Sequence, residues 1–226
     1  MFEQFANREN TIFDAIQNFS NAQLHFIVLG GYAVSAYKHR FSVDADLVIR
    51  KEDKTKFEEI LAKMKFVKTI VKSLDHIYAP EFIRHQTKDK LPVSIDLLIN
   101  GVGSRTTNAS FGIEELEKYS GKRKIIGTEK EITALVLDKE MLIVLKLHSG
   151  RLTDFRDVVA LSANLDFNLI KRIIWRGKRN VIKDNIKKLI LLVEKKEFIG
   201  SFKGVFVEKE YDVDVGEVKK FKQLLD

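Results

Sequence analysis

Cysteine is missing from the 226 residues, which excludes disulfide frameworks and thiolate metal sites. The five histidines are scattered with no pair at i,i+4, so zinc has no obvious ligand set. Only two prolines occur, and there is no internal repeat or low-complexity tract. No apolar run approaches the ~20 residues that a bilayer-crossing helix needs. The opening Met1-Phe2-Glu3-Gln4 lacks the basic-then-apolar pattern of a secretory leader, so the cytoplasm is the expected location. What the chain has is a 45% hydrophobic content, enough for one core and an appended unit, and a formal charge of +7. A positive balance favours polyanionic partners: nucleotides, nucleic acid or acidic proteins.

Apolar positions at helical spacing predict a helix over 3–20, with Phe5, Ile12, Phe13, Ile16 and Phe19 on one face. A buried-strand pattern at 24–29 stops at Gly30-Gly31, and a short helix is expected from there to Tyr37. Residues 44–50 read as a second strand and 51–65 as a charged amphipathic helix. Extended runs follow at 66–72 and 76–85, then a strand through Asp96. Residues 100–121 read as loop-rich, with a short strand near 124–126. From Asp138 the pattern turns helical, at 138–149, 153–163, 167–176 and 178–196. A hairpin at 198–215 is left open, and a last short helix is expected at 216–225.

The second strand carries Asp44 and Asp46 at i and i+2, just before Leu47-Val48-Ile49. A period of two points both carboxylates to one face, with Cα atoms roughly 6–7 Å apart. Asp96 lies inside another β-branched, apolar run. Burying ionised carboxylates beside apolar residues costs several kcal/mol unless they are compensated. A shared divalent metal would compensate all three, because hard cations prefer carboxylate oxygen. The bland alternative is three acids that cap strand ends and face water. Asp212-Val213-Asp214 is the internal contrast: no glycine turn precedes it, and it reads as solvated surface. Gly30-Gly31, between a strand and a helix, would expose backbone N–H groups to a phosphate.

The order Gly30-Gly31, then Arg40-x-Ser42-x-Asp44-x-Asp46, then Asp96 on a later strand resembles the DNA polymerase β-type nucleotidyltransferase superfamily. The Arg-x-Ser-x-Asp-x-Asp spelling is most similar to the abortive-infection and toxin–antitoxin nucleotidyltransferases. The resemblance covers about residues 24–100 strongly and 138–163 more weakly. It implies an α+β nucleotidyltransferase fold, a mixed twisted sheet flanked by helices, over residues 1–130, with a mainly helical region at 131–226. It also implies roles. Gly30 and Gly31 would hold the β- and γ-phosphates of an NTP, with Arg40 and Ser42 beside them. Asp44 and Asp46 would bind two Mg²⁺ ions, and Asp96 would bind one of these and help to deprotonate the acceptor. Many relatives have Gly-Ser where this chain has Gly30-Gly31, so one hydroxyl contact to phosphate is missing.

In the second half, Lys146 is the only charge in Met141-Leu142-Ile143-Val144-Leu145-Lys146-Leu147. It either snorkels to water or faces an anionic cleft; the resemblance implies contact with the triphosphate. Thr153 or Asp154 is a candidate N-cap, and Arg156-Asp157 a local ion pair. Arg172, Arg176, Arg179, Lys183 and Lys187 form a basic stripe that Gly177 would interrupt. Its ordinary meaning is a solvated face; an RNA acceptor would lie there if there is one. Trp175 reads as a core or interface residue.

The leading expectation is a Mg²⁺-dependent transfer of an NMP group from an NTP to an RNA end, a protein hydroxyl or a small molecule, in a toxin–antitoxin or defence setting with a small helical protein partner. The alternative is a non-catalytic nucleotide-sensing or protein-binding module on the same fold.

Overall fold

The apolar run Phe26–Leu29 forms a strand buried at every position, because it lies inside a seven-stranded sheet with neighbours on both edges. The computed structural model describes residues 2–73, 81–206 and 213–225. By their internal contacts these fall into two units, one of residues 1–103 and 110–137, the other of 104–109 and 138–226.

The first unit begins with α1 (Phe2–Asn21), whose Ile12, Phe13, Ile16 and Phe19 are buried as the helical spacing predicts, whereas Phe5, expected on the same face, is exposed and meets the edge of Phe41. Then come β1 (Phe26–Leu29), α2 (Gly30–Ser35) and β2 (Asp44–Ile49). A 3-10 turn at Lys51–Asp53 leads into α3 (Lys54–Lys63), which buries Phe57 and Leu61. Next are β3 (Val67–Ser73), β4 (Glu81–Gln86) and β5 (Ser94–Ile99). The first part of the expected 76–85 run lies outside the described residues. Phe19, Phe26 and Phe57 meet with ring centroids 4.8–6.1 Å apart, tying α1, β1 and α3 into one core.

Residues 100–121, expected to be loop-rich, are ordered as β6 (Gly101–Ser104), β7 (Ala109–Gly112) and α4 (Ile113–Lys118). The first two pair as a separate ribbon, and α4 buries Ile113 and Leu116. The two strands read Gly-Val-Gly-Ser and Ala-Ser-Phe-Gly, a composition that signals loop and not strand. β8 (Ser120–Ile126) and β9 (Glu131–Leu137) complete the sheet, in the order β3-β4-β5-β2-β1-β9-β8. β1 runs antiparallel to β2 but parallel to β9, and β2 runs parallel to β5. The sheet is thus mixed and flanked by helices.

The second unit is mostly helical. It contains α5 (Lys139–Ser149), α6 (Leu152–Ala160), α7 (Phe167–Ile174) and α8 (Arg179–Leu192), close to the expected spans. Shorter α9 (Lys196–Gly200) and α10 (Val215–Lys219) follow, with a 3-10 turn at Lys220–Leu224. The hairpin left open at 198–215 falls partly on a helical turn and partly outside the described residues, as does Asp212. Asp214 accepts a hydrogen bond from the Glu217 N–H and caps α10. Among the described residues no helix is long and apolar enough to cross a membrane.

Candidate active site

Three carboxylates share one face of the sheet. Asp46 of β2 is the register partner of Asp96 of β5, and Asp44 is partnered by Ser94 two residues earlier. In a parallel pair, register partners point the same way, and strands lie about 4.8 Å apart. Asp44 and Asp46 are half-buried, whereas Asp96 is 2% exposed. Burial pushes the Asp96 carboxyl above its ordinary range, with Arg84 pulling it back and the Asp44 charge adding to the rise.

Gly30 closes the site from the β1 side. It follows Leu29, the register partner of Asp46, and adopts φ +67°. A β-carbon there would sit 1.9 Å from Asp46 Oδ2, so only glycine fits, for both backbone and space. A β-carbon on Gly31 would lie 2.6 Å from Ser42 Oγ and 3.4 Å from the Arg40 guanidinium carbon. Ser42 and Arg40 therefore lie close to the glycine turn.

The loop before β2 is fixed from below. Tyr32, fully buried on α2, donates from its hydroxyl to the Ser42 carbonyl at 2.9 Å. Ser35 Oγ donates to the Arg40 carbonyl at 2.7 Å and accepts from the Arg40 N–H at 3.3 Å. Ser42 Oγ in turn donates to Asp44 Oδ1 at 3.0 Å. Burial, with the charges of Glu9 and Asp44, drives the Tyr32 phenol well above its usual range, so it remains a donor.

Arg84 is the residue that the sequence reading missed. It stands on β4 as the register partner of Asp96. Its Nε donates to Asp96 Oδ1 at 2.7 Å and its Nη2 to Oδ2 at 2.6 Å, a two-point fork on a buried carboxylate. A guanidinium thus offsets part of the buried Asp96 charge, which the desolvation argument assigns to a metal shared by all three acids. Among the described residues no group of three or more His, Cys, Asp or Glu side chains is arranged to hold a metal ion. Asp44 and Asp46, two carboxylates two residues apart on one strand, are donors of the kind that a hard cation prefers.

Lys146 belongs to the second unit. It is buried on α5 with its ammonium 2.5 Å from Asp157 and 3.3 Å from Asp154. Asp154 also accepts from Arg151 Nε at 2.7 Å. Burial raises the Asp154 carboxyl, but the Arg151 and Lys146 contacts outweigh it and hold the group below its ordinary value. The N-cap of α6 is Arg151, with Asp154 closing a capping box, rather than Thr153 or Asp154 itself. The basic stripe crosses from α7 to α8 over Gly177, which takes φ +57°. Arg172, Arg179, Lys183 and Lys187 are exposed, Arg176 less so. Trp175 lines an open hollow of about 370 Å³ with Lys171, Arg179, Asn180 and Lys183.

No protein-family model matches the chain, and no curated protein matches it. Solved structures do. A structure from H. pylori assigned as a nucleotidyltransferase superposes with a TM-score of 0.52 at 15% identity, covering 99% of this chain and 95% of that one. JHP933 from Helicobacter pylori gives 0.50 at 15% identity, over 99% and 92%. ANT(2″)-Ia in complex with adenylyl-2″-tobramycin gives 0.50 at 11% identity, over 79% and 97%. With its mixed sheet, flanking helices and these neighbours, the chain has the nucleotidyltransferase fold.

Proposed function

We propose that the chain is a nucleotidyltransferase that moves an NMP group from an NTP to a hydroxyl. The acceptor oxygen bonds to the α-phosphorus, the bond to the bridging oxygen breaks, and pyrophosphate leaves. Gly30 and Gly31 offer backbone N–H groups to the terminal phosphates, and Arg40 adds a fixed positive charge beside them. Asp44 and Asp46 would hold a divalent cation, whose chemistry is to offset phosphate charge and steady the leaving group. Asp96 takes the acceptor proton. The observation that carries this reading is the contact of Gly30 with Asp46, which joins the phosphate turn to the carboxylate strand.

The acceptor class follows from chemistry alone only as far as "a hydroxyl". A small molecule has support from a neighbour bearing an adenylylated aminoglycoside. The basic stripe supports an RNA end, and the Arg40-to-Asp46 spelling supports a toxin–antitoxin or defence role with a protein partner.

The test is incubation of the full chain with α-labelled NTPs, Mg²⁺ and separate pools of RNA, cell protein and aminoglycoside. Label is expected to move to one pool, and to stay on the NTP with the Asp44→Asn, Asp46→Asn variant. Binding without transfer to any pool would favour the nucleotide-sensing reading. Absence of NTP binding would sink the phosphate assignment itself.

A further inference from the structure

We propose that the hollow around Trp175 in the second unit binds a single-stranded nucleic-acid segment, with one base against the indole and the flanking phosphates on Lys171, Arg179 and Lys183. The inference does not rest on the nucleotidyltransferase reading, because every residue in it belongs to the second unit.

Residues 167–192 hold eight Lys and Arg against one acid, Asp184, an excess of seven. The formal charge of the whole chain is also +7, so the remaining residues balance at zero. The net attraction of the chain for polyanions therefore sits on α7, α8 and the turn between them. Lys171, Arg179 and Lys183 make no ion pair among the described residues, so their charge is not spent internally. Along α8, Arg179, Lys183 and Lys187 recur every four residues, which sets one charge per ~6 Å on one face. Such a row suits a string of phosphates better than a single anion.

Trp175 is half-buried at the C-cap of α7, and Leu224 and Leu225 give its hollow an apolar side. The backbone on either side of the indole is pinned. The Ile174 carbonyl accepts from His148 Nε2 at 3.1 Å, and the Lys178 N–H donates to the Thr107 carbonyl at 2.6 Å. A β-carbon on Gly177 would sit 2.1 Å from that same Thr107 carbonyl, so the turn after Trp175 has no slack. The Lys183 ammonium lies 6.0 Å from the indole centroid, so a stacking surface and a phosphate partner stand side by side.

Charge and shape together select the ligand. A polyanion without rings leaves the indole and the two leucines without a role. A duplex keeps its bases turned inward, and a flat anionic membrane does not fill a concave site. An acidic peptide matches the charge, but its carboxylates do not stack. A strand with unpaired bases matches charge, ring and concavity at once. RNA and DNA share this chemistry, and the experiment separates them.

The chain has one tryptophan, so its emission reports on this site alone. The full chain is titrated with a short oligouridylate, an oligothymidylate of equal length, an RNA duplex, inorganic polyphosphate and polyglutamate. Both single strands are expected to quench the emission as they bind, and the tighter of the two identifies the source. Trp175→Leu should weaken binding of a labelled strand about tenfold, read by anisotropy, with its salt dependence unchanged. Arg179→Gln combined with Lys183→Gln should instead flatten the slope of log affinity against log salt by about 1.4, about 0.7 for each charge removed. Both residues of that pair are exposed, so it serves also if Trp175→Leu does not fold. Binding of the duplex, polyphosphate or polyglutamate as tight as that of the single strands overturns the proposal, the last in favour of an acidic protein partner. So does binding without quenching, an unchanged salt slope in the double variant, or no binding to any of the five.

Discussion

Gly30 and Asp46 share one volume: a methyl group on the glycine would overlap the Oδ2 atom of the aspartate at 1.9 Å. The contact makes the end of β1 and the middle of β2 a single object. Gly30→Ala pays twice, once for a left-handed backbone at φ +67° and once for the displaced carboxylate. A loss of about 2 kcal/mol is expected by chemical denaturation, together with loss of nucleotide binding by calorimetry. Asp46→Ala in the same chain should recover the steric part but not the backbone part. Fully additive losses in the double variant would contradict the overlap.

Gly31 and Ser42 form a second such couple, 2.6 Å from a built β-carbon to Oγ. Gly31→Ser, which would restore the spelling common among relatives, is expected to destabilise by about 1–3 kcal/mol through overpacking. Ser42→Gly should relieve it in the double variant, with a coupling of about 1 kcal/mol or more. A Gly31→Ser protein as stable as the native chain would mean that the Ser42 loop moves aside freely, despite its bonds to Tyr32 and Asp44.

Much of this site was legible in the sequence because it depends on local pattern. A period of two places Asp44 and Asp46 on one face, and a glycine pair after an apolar run marks the turn. Arg84 was not legible. Its meaning comes from the β4–β5 register, a long-range pairing that no spacing along the chain encodes. β9 is a related case: Glu131–Leu137 takes its place by joining β1 in parallel across the sheet, a pairing that spacing along the chain does not encode. Lys146 stands out in the sequence by its isolation among apolar neighbours, and that pattern is silent about partners eight and eleven residues away on the next helix.

Those partners give a third prediction. Lys146→Met leaves Asp154 and Asp157 buried without their ammonium, and a cost of about 3–5 kcal/mol is expected. Adding Asp157→Asn should recover part of it. A role on the triphosphate alone would give the reverse result, with normal urea stability and weakened NTP binding. Measuring both quantities on one preparation separates the two.

The fourth prediction concerns acid. His148 is fully buried on α5, with Nδ1 2.7 Å from Thr107 Oγ1 and Nε2 3.1 Å from the Ile174 carbonyl. Burial, aided by the Arg176 charge and opposed by the Ile174 carbonyl, lowers its pKa from 6.5 to about 4. The unfolded chain therefore takes up a proton near pH 6.5 that the folded chain refuses until about pH 4. Stability contributed by the neutral ring is present above pH 6.5 and is lost as the pH falls towards 4, by a total on the order of 3 kcal/mol. His148→Gln retains an N–H for the Ile174 carbonyl and has no such titration. Urea unfolding at pH 7, 6, 5 and 4 should show the native chain losing stability faster than this variant through that window. Parallel curves for the two proteins would mean that the ring is protonated in the folded state, contrary to its burial between Thr107 and Ile174.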